Sequence, residues 1–247
     1  MISIKSDREI DLMRQAGKYL QDTFKYIEPF VVAGVTTKKI DTLIHDYVLS
    51  IGCVPSCLGY EGFPATACIS INDEVVHGIP GSRKIKNGDI VSIDLVIAYK
   101  GYCADATRTY IIGEVSESVK NLVFDTKEAF YVGVSVVKEG ARIRDIGAAI
   151  EDFATKHNLS VVEELCGHGI GTEMHEEPNV PNYDDNNMTR LKAGMVIAIE
   201  PMLNLGSRYV YLDNNDWTIR TCDGKPSCHY ENTVLVTKDG YEILTGD

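Results

Sequence analysis

Apolar residues recur at three- and four-residue intervals in four segments of the chain, a spacing typical of amphipathic helices that pack on a core. The first segment opens with Ser6 and Glu9, which match a capping box. Thr36 and Ser116 are suitable N-caps for the second and third segments. The pattern therefore predicts helices from about Ser6 to Ile27, Thr36 to Gly52, Ser116 to Val137 and Arg142 to His157.

Runs rich in β-branched and aromatic residues predict the strands. The two longest runs flank Lys100-Gly101, a dipeptide suited to the two-residue loop of a β-hairpin. Shorter strands are expected from Cys68 to Ile71, Val161 to Glu163, Gly194 to Glu200, Trp217 to Thr221 and His229 to Thr237.

The hairpin carries two acidic residues in an otherwise apolar pair of strands. A two-residue loop places Asp94 opposite Thr107 and Asp105 opposite Val96. Side chains alternate faces along a strand, so the two aspartates share a face and are diagonal neighbours roughly 7–8 Å apart. Buried like charges repel and lose hydration. The hairpin alone leaves two interpretations open: the aspartates end their strands in water, or they hold a cation between them.

An internal repeat relates the two halves of the chain. When Gly34 is aligned with Gly140, segment 85–94 falls on segment 191–200. Each segment contains a Lys-x-Gly turn, continues as an apolar strand and ends in an acidic residue. Each half therefore supplies two helices followed by strands.

The repeat gives each half two carboxylates. Glu200 takes the position of Asp94, and Glu231, like Asp105, is followed two residues later by a threonine. Chance recurrence of the Lys-x-Gly turn would explain the first correspondence but not the second. A two-fold arrangement of the halves is expected to bring all four carboxylates to the centre of a shared sheet.

The composition limits the class of protein. With 44% apolar and 24% charged residues, the chain is that of an ordinary globular protein, and its net charge of −12 argues against nucleic acid as a partner. It contains no apolar run long enough to span a membrane, and its charged start lacks the apolar core of a signal peptide. The seven scattered cysteines predict reduced thiols in the cytoplasm. Without a linker-like stretch, residues 1–247 are expected to form a single domain.

Four clustered carboxylates carry a charge that two divalent cations would balance. Sites with two metal ions roughly 3.5–4 Å apart serve hydrolytic reactions. Oxygen-rich sites suit Mn, Fe, Co or Mg, and an added imidazole shifts the preference toward transition metals or zinc. His168 is the candidate imidazole because its glycine neighbours allow the backbone to approach a ligand closely. His45, His157 and His229 are interpreted as structural or surface histidines.

With these residues the chain resembles the methionine aminopeptidases of peptidase family M24, in particular the short bacterial type I form. The resemblance covers essentially the whole chain. Further matching motifs are Gly59-Tyr60, Cys68-Ile-Ser-Ile-Asn72, His77-Gly-Ile-Pro80, Gly167-His168-Gly-Ile-Gly171, His175-Glu-Glu-Pro178, Ala198-Ile-Glu-Pro201 and Tyr230-Glu-Asn-Thr233. Five residues match the family's metal ligands in order and spacing: Asp94, Asp105, His168, Glu200 and Glu231.

The resemblance implies an α+β "pita-bread" (creatinase/aminopeptidase) fold. Its pseudo-two-fold halves would lie at about 1–112 and 113–247, with a central curved antiparallel sheet covered by helices. The implied activity is removal of the initiator methionine from nascent polypeptides, at the ribosome, when the second residue is small. A monomer that binds neither nucleic acid nor membrane is expected, with two divalent ions (Co, Mn, Fe(II), Ni or Zn) as cofactors.

The resemblance also implies a role for each metal ligand. Asp105 and Glu231 would bridge the two ions, Asp94 would chelate one of them, and His168 and Glu200 would hold the other. The ions would acidify a water molecule that attacks the peptide carbonyl after the first residue.

Three further roles follow from the same resemblance. Glu200 would shuttle a proton, His175 would contact the scissile amide and stabilise the developing oxyanion, and His77 would hydrogen-bond near the leaving amide. The substrate methionine would be bound by His77, His175, Cys57, Tyr60, Phe63, Cys68, Met174 and Trp217. Backbone carbonyls near Asn72, Glu74 and Ser227 would hold a monovalent cation.

The chain departs from the family pattern at three positions near this pocket. Phe63 stands where many members have tyrosine, Met174 where many have phenylalanine, and Glu61 where many have histidine. These differences bear on fine substrate preference and leave the reaction unchanged.

Other proteins were weighed against this interpretation. A proline-specific peptidase of the same fold would usually carry an extra N-terminal domain, which this chain lacks. A non-catalytic relative would typically have lost metal ligands, whereas all five residues that match the family's ligands are present in this chain. A helical di-metal carboxylate bundle is excluded because the acids lie on strand-like segments and no Glu-x-x-His pair occurs.

Overall fold

The structure is a computed structural model, and it describes residues 2–246. Four α-helices lie close to the positions that apolar spacing predicted. They are α1 (Asp7–Ile27), α2 (Thr37–Ser50), α3 (Glu117–Ser135) and α4 (Ile143–Lys156), with short 3₁₀ turns at Glu28–Phe30 and Tyr60–Gly62. No helix in this part of the chain is long and apolar enough to cross a membrane.

The predicted caps form. Ser6 precedes α1, and the carboxylate of Glu9 accepts a hydrogen bond of 2.7 Å from the Ser6 backbone N–H. The hydroxyl of Thr36 accepts from the backbone N–H of Lys39 at the start of α2. Helix α4 ends before Asn158, whose φ of 57° lies in the left-handed region.

The strands are shorter and more numerous than the sequence predicted. They are β1 (Val54–Pro55), β2 (Cys68–Ile71), β3 (Glu74–Val76), β4 (Ile90–Tyr99), β5 (Tyr102–Ile111), β6 (Ser160–Val161), β7 (Cys166–Gly169), β8 (Glu176–Pro181), β9 (Val196–Ile199), β10 (Met202–Asn204), β11 (Val210–Leu212), β12 (Ile219–Thr221), β13 (Ser227–His229), β14 (Glu231–Val236) and β15 (Tyr241–Ile243). The strand expected from His229 to Thr237 is interrupted at Tyr230, and β1, β3, β7, β8, β10, β11 and β15 were not predicted.

One antiparallel sheet organises the fold. Its strands follow the order β1-β4-β5-β14-β9-β7-β8, with β2 beside β4 and β15 beside β14. The central hairpin has the predicted register, because Asp94 pairs with Thr107 and Val96 pairs with Asp105. Strand β14 then joins the two halves of the sheet, with Glu231 opposite Thr107.

The internal repeat is visible in the backbone hydrogen bonds. In the first half, the Gly34 N–H donates to the carbonyl of Ile85 at 2.8 Å. In the second half, the N–H of Gly140 donates to the carbonyl of Leu191 at 2.9 Å. These are the positions that the sequence repeat aligns, so both halves attach the start of their second helix to the turn before their acidic strand.

Each strand presents one face to the helices and the other to the candidate site. Leu95 and Ala106 pack among the residues of α1 and α2. Val96, on the opposite face of β4, packs in a separate cluster with Cys57 and Phe63. In the second half, α3 and α4 cover Ile197 of β9. The predicted carboxylates therefore project from the sheet face that the helices leave uncovered.

Candidate metal centre

The four predicted carboxylates come from four strands or their ends. Asp94 and Asp105 lie within β4 and β5, Glu231 is the first residue of β14, and Glu200 directly follows β9. Asp105 is 3% exposed and Glu231 is 2% exposed, so these side chains do not end their strands in water.

Several carboxylate oxygens in this group have no hydrogen-bond partner in the part of the chain that the structure describes. They are Oδ1 of Asp94, Oδ1 of Asp105 and Oε1 of Glu231, all fully buried. Donors that orient the other atoms come from threonines: the Thr107 hydroxyl donates to Glu231 Oε2 at 3.0 Å. Buried anionic oxygens without a donor are costly unless a cation binds them, so these residues fit divalent metal ions.

Burial and mutual repulsion raise the pKa of every acid in the group. Burial raises the pKa of Asp94 to about 6, against which hydrogen bonds to Thr107 and Asp105 act. For Asp105 and Glu200, burial and then the charge of Glu231 hold the pKa well above its ordinary value. For Glu231, burial and then the charge of Asp94 have the same effect. Without bound cations, the carboxyl groups of the cluster therefore favour their protonated, neutral form.

His168 faces this cluster with a free lone pair. Its Nδ1 lies 2.9 Å from the backbone carbonyl of Gly169, which can only accept, so Nδ1 carries the proton. Its Nε2 lies 3.5 Å from Oε1 of Glu200 and 3.7 Å from Oδ2 of Asp105. Burial lowers the pKa of His168 to about 3, which keeps the ring neutral as a metal ligand requires.

The glycines beside His168 have a different function from the one expected. A Cβ on Gly167 would lie 2.3 Å from the carbonyl oxygen of Ala198, and one on Gly169 would lie 2.3 Å from that of Glu177. These glycines allow β7 to pack tightly between β8 and β9. The close approach is therefore to neighbouring backbone and not to a ligand.

The interpretation of His229 as an ordinary structural or surface histidine is wrong. It is 2% exposed, and its Nε2 has no hydrogen-bond partner and lies 3.7 Å from both Glu200 and Glu231. A signal was present in the sequence, since a residue two positions before Glu231 on a strand shares its face. The interpretation of His45 and His157 is confirmed: His45 Nδ1 pairs with the Thr66 hydroxyl, and His157 is exposed.

A cavity of about 620 Å³ opens onto the carboxylates. Phe63 and Trp217 meet edge to face in its wall, with ring centroids 5.1 Å apart. Cys68 pairs with Asp94 across β2 and β4, which brings the apolar wall directly to the acidic group. All the residues predicted to bind methionine line this cavity: Cys57, Tyr60, Phe63, Cys68, His77, Met174, His175 and Trp217.

The two other predicted site histidines also line the cavity. The Tyr60 hydroxyl lies 2.8 Å from Nδ1 of His175, and the ring of His175 stands at 90° to that of His168, with centroids 4.3 Å apart. His77 has a φ of 57°, and its carbonyl accepts a hydrogen bond from the Thr218 hydroxyl. Burial lowers the pKa of both His77 and His175.

Other lining residues were not predicted from the sequence. They come from several strands and from the loop before β7, and they are Val76, Val96, Glu164, Leu165, Cys166, Glu176, Glu177, Asn179, Met202 and His229.

A carboxylate and imidazole cluster beside an apolar cavity, on an antiparallel sheet covered by helices, defines a metallopeptidase with a divalent-metal centre. Residues 11–238 match the model of metallopeptidase family M24. The chain belongs to this family, and within it to the methionine aminopeptidases. It is 46% identical to a methionine aminopeptidase of Clostridium acetobutylicum over 247 residues, and 42% identical to methionine aminopeptidase 1 of Bacillus subtilis over 246 residues, with 99% of each chain covered in both comparisons.

Solved structures agree with this assignment. Methionine aminopeptidase from Rickettsia prowazekii superposes with a TM-score of 0.97 at 41% identity, and each chain is covered completely. An Xaa-Pro dipeptidase from Bacillus anthracis has a TM-score of 0.80 at 27% identity, but the chain covers 62% of that protein. The pita-bread fold expected from the sequence is confirmed.

Proposed function

We propose that this chain removes the N-terminal methionine from nascent polypeptides whose second residue is small. The observation that carries the proposal is the convergence of four carboxylates and one imidazole, with unpartnered buried oxygens, at the wall of an apolar cavity. The methionine aminopeptidases named above support the choice of substrate.

We assign the metal ligands as the sequence predicted. Asp105 and Glu231 would bridge two divalent ions, Asp94 would complete one site, and His168 and Glu200 the other. Ligand atoms of Asp105, His168 and Glu231 that lie within 4.8 Å of one another support this grouping. When bound, the ions would polarise the scissile carbonyl and lower the pKa of the attacking water.

We propose for the surrounding side chains the catalytic roles that the resemblance implies, and their positions in the cavity support them. Glu200 takes the proton of the attacking water and returns it to the leaving amine, a role that suits a carboxyl whose pKa burial raises. The Tyr60 hydroxyl lies 2.8 Å from Nδ1 of His175. With Nδ1 as the acceptor of that hydrogen bond, the Nε2–H of His175 donates to the developing oxyanion. His77 hydrogen-bonds near the leaving amide.

The apolar part of the cavity binds the methionine side chain. Sulfur against aromatic edges is favourable by roughly 0.3–1.5 kcal/mol, and the edge-to-face rings of Phe63 and Trp217 offer such edges. Met174 adds a polarizable wall and is 7% exposed. His77 and His175 restrict the space next to the reacting carbonyl, which supports selection for a small second residue.

We further propose the properties that the family resemblance implied. The chain would act as a cytoplasmic monomer on N-termini emerging from the ribosome, with Co, Mn, Fe(II), Ni or Zn as its ions. A monovalent cation would bind at backbone carbonyls near Asn72, Glu74 and Ser227. The N–H of Ser227 donates to the carbonyl of Asn72 at 2.9 Å, so these two segments adjoin.

Metal analysis combined with peptide hydrolysis tests the proposal. The purified protein should contain divalent metal, cleave Met-Ala-Ser and leave Ala-Pro-Ser intact, whereas a proline-specific aminopeptidase would cleave the second peptide. Excess chelator should abolish the activity, and Co, Mn or Fe(II) should restore it. Undiminished hydrolysis of Met-Ala-Ser in excess chelator would contradict the proposal.

A further inference from the structure

His229 is held rigidly at the edge of the metal centre. It is the last residue of β13, pairs with Met202 of β10, and its carbonyl accepts a hydrogen bond of 2.8 Å from the Thr109 hydroxyl. The side chain is buried to the same degree as that of Glu231, each being 2% exposed. Strand pairing therefore holds the backbone of His229 in place, and the protein encloses its side chain.

The Nε2 atom of His229 has no hydrogen-bond partner among residues 2–246. It lies 3.7 Å from Oε2 of Glu200 and 3.7 Å from Oε2 of Glu231, beyond hydrogen-bonding distance of either. Buried polar atoms in folded proteins are nearly always satisfied, so a group that the protein itself does not supply is expected between these three atoms.

The position of His229 repeats that of His168. Nε2 of His168 lies 3.5 Å from Oε1 of Glu200 and 3.7 Å from Asp105, which are the spacings seen around His229. Glu200 thus presents one oxygen to each imidazole. Ligand atoms of Glu200, His229 and Glu231 all lie within 4.8 Å of one another, as do those of Asp105, His168 and Glu231.

We propose that His229 is a sixth metal ligand, whose Nε2 binds a divalent transition metal together with Glu200 and Glu231. The inference rests on the proposed metal centre and extends it. With His229 included, the ion assigned to His168 and Glu200 has two imidazole ligands, and Glu231 is still shared between the two ions. A second imidazole shifts the preference of the centre further from Mg and toward Co, Ni or Zn.

The test is to count imidazole ligands and measure metal affinity in the same protein. Metal-free wild type and His229→Gln are titrated with Co²⁺ by calorimetry. Paramagnetically shifted, exchangeable imidazole N–H signals are then counted by ¹H NMR of the Co²⁺-loaded proteins. We expect two such signals in the wild type and one in His229→Gln. The affinity for one of the two ions should fall by at least about tenfold in the variant.

His157→Gln is the matched control, because it removes an exposed imidazole that does not line the cavity. It should keep two signals and wild-type affinity. Thermal unfolding of the metal-free proteins establishes that His229→Gln folds. A His168→Ala variant identifies the other signal.

Three results would overturn the proposal. A wild type with only one shifted signal, that of His168, would show that His229 does not bind the ion, even if His229→Gln weakens binding through Glu200. Unchanged signals and affinity in His229→Gln would show that it has no part in the centre. A wild type that binds no divalent metal would remove the proposed function as well, so the two failures are distinguishable.

Discussion

The hydroxyl of Tyr60 and the imidazole of His175 form a hydrogen bond of 2.8 Å at Nδ1, across the mouth of the cavity. The rings meet edge to face with centroids 5.2 Å apart, which fixes the direction of the imidazole. With Nδ1 as the acceptor, the neutral ring carries its proton on Nε2.

His175→Ala should therefore lower kcat more than it raises KM, since a hydrogen bond to the oxyanion is strongest in the transition state. Loss of one oxyanion donor costs about 10²–10³ in kcat. Tyr60→Phe keeps the ring but frees Nδ1, so a smaller loss in kcat is expected. Steady-state kinetics of the wild type and both variants with Met-Ala-Ser separate the change in kcat from the change in KM. A raised KM at constant kcat would assign His175 to substrate docking alone.

Asp105→Asn should fold and bind metal poorly. The amide keeps the shape of the side chain, but a neutral group is a weak bridge between two cations. We expect kcat to fall at least about a hundredfold at ordinary metal concentrations, together with a loss of measured metal affinity. Asp239→Asn, at an exposed turn, is the control and should behave as the wild type. Near wild-type kcat in Asp105→Asn would contradict its assignment as a ligand.

The metal-free protein should become more stable on mild acidification. Burial raises the pKa of Asp94 from 3.8 to about 6, so the folded state binds this proton more tightly than the unfolded state does. The resulting stabilisation is absent at pH values above the pKa of the folded state. It increases as the pH falls from there toward the pKa of the unfolded state. For Asp94 alone it amounts to about 3 kcal/mol. Asp105, Glu200 and Glu231, whose pKa values are also raised, extend the effect to higher pH.

The thermal midpoint in excess chelator should therefore rise between about pH 8 and about pH 6.5. Below that range the trend is opposed by His168 and His229, whose pKa burial lowers to about 3, so that the unfolded state binds their protons more tightly. The metal-loaded protein should show the opposite trend, because its ligands must be deprotonated and acid releases the ions. Scanning calorimetry of both forms over this range provides the comparison. A metal-free midpoint that falls steadily on acidification would contradict the burial of four unpaired carboxylates.

Lys5→Met should destabilise the loop that carries His175. Lys5 Nζ lies 2.5 Å from Oε2 of Glu176, with side-chain exposures of 4% and 15%, and Glu176 Oε1 accepts a hydrogen bond from the Thr172 N–H. Removing one partner of a buried ion pair leaves the other uncompensated, at a cost of about 3–5 kcal/mol. Urea unfolding should show this loss, and kcat should fall because His175 adjoins Glu176.

Lys18→Met is the matched control for that substitution. Its ion pair with Asp22 has side-chain exposures of 64% and 35%, so a change within about 1 kcal/mol is expected. If Lys5→Met and Lys18→Met lowered the free energy of unfolding equally, the buried ion pair of Lys5 would stabilise the protein no more than the exposed pair of Lys18.

The helices and the central hairpin could be predicted because local interactions determine them. Apolar residues at helical spacing, together with the caps at Ser6 and Thr36, locate the helices within a few residues. A two-residue loop fixes the register of β4 and β5, so the shared face of Asp94 and Asp105 follows from the sequence alone. The internal repeat aligns the Lys-x-Gly turns that precede the two acidic strands, and it thereby predicted Glu200 as the counterpart of Asp94.

The short strands and the contact between Lys5 and Glu176 could not be predicted in this way. Strands of two or three residues, such as β3 and β11, show no periodicity of their own and exist because a neighbouring strand pairs with them. Lys5 and Glu176 are far apart in sequence, and only the packing of the N-terminal segment beside Gly194 brings them together.

The sequence by itself determined the family, the helices, the acidic hairpin and the residues that can bind metal, since these depend on residue type and local spacing. Only the tertiary structure decided which of those residues share a space. The sheet order β5-β14-β9-β7 brings Glu231 beside Thr107 and Glu200 beside His168. His229 reaches the same acids from a separate sheet, β13-β10-β6, because long-range strand pairing, and not the chemistry of the residue, sets where a side chain is buried.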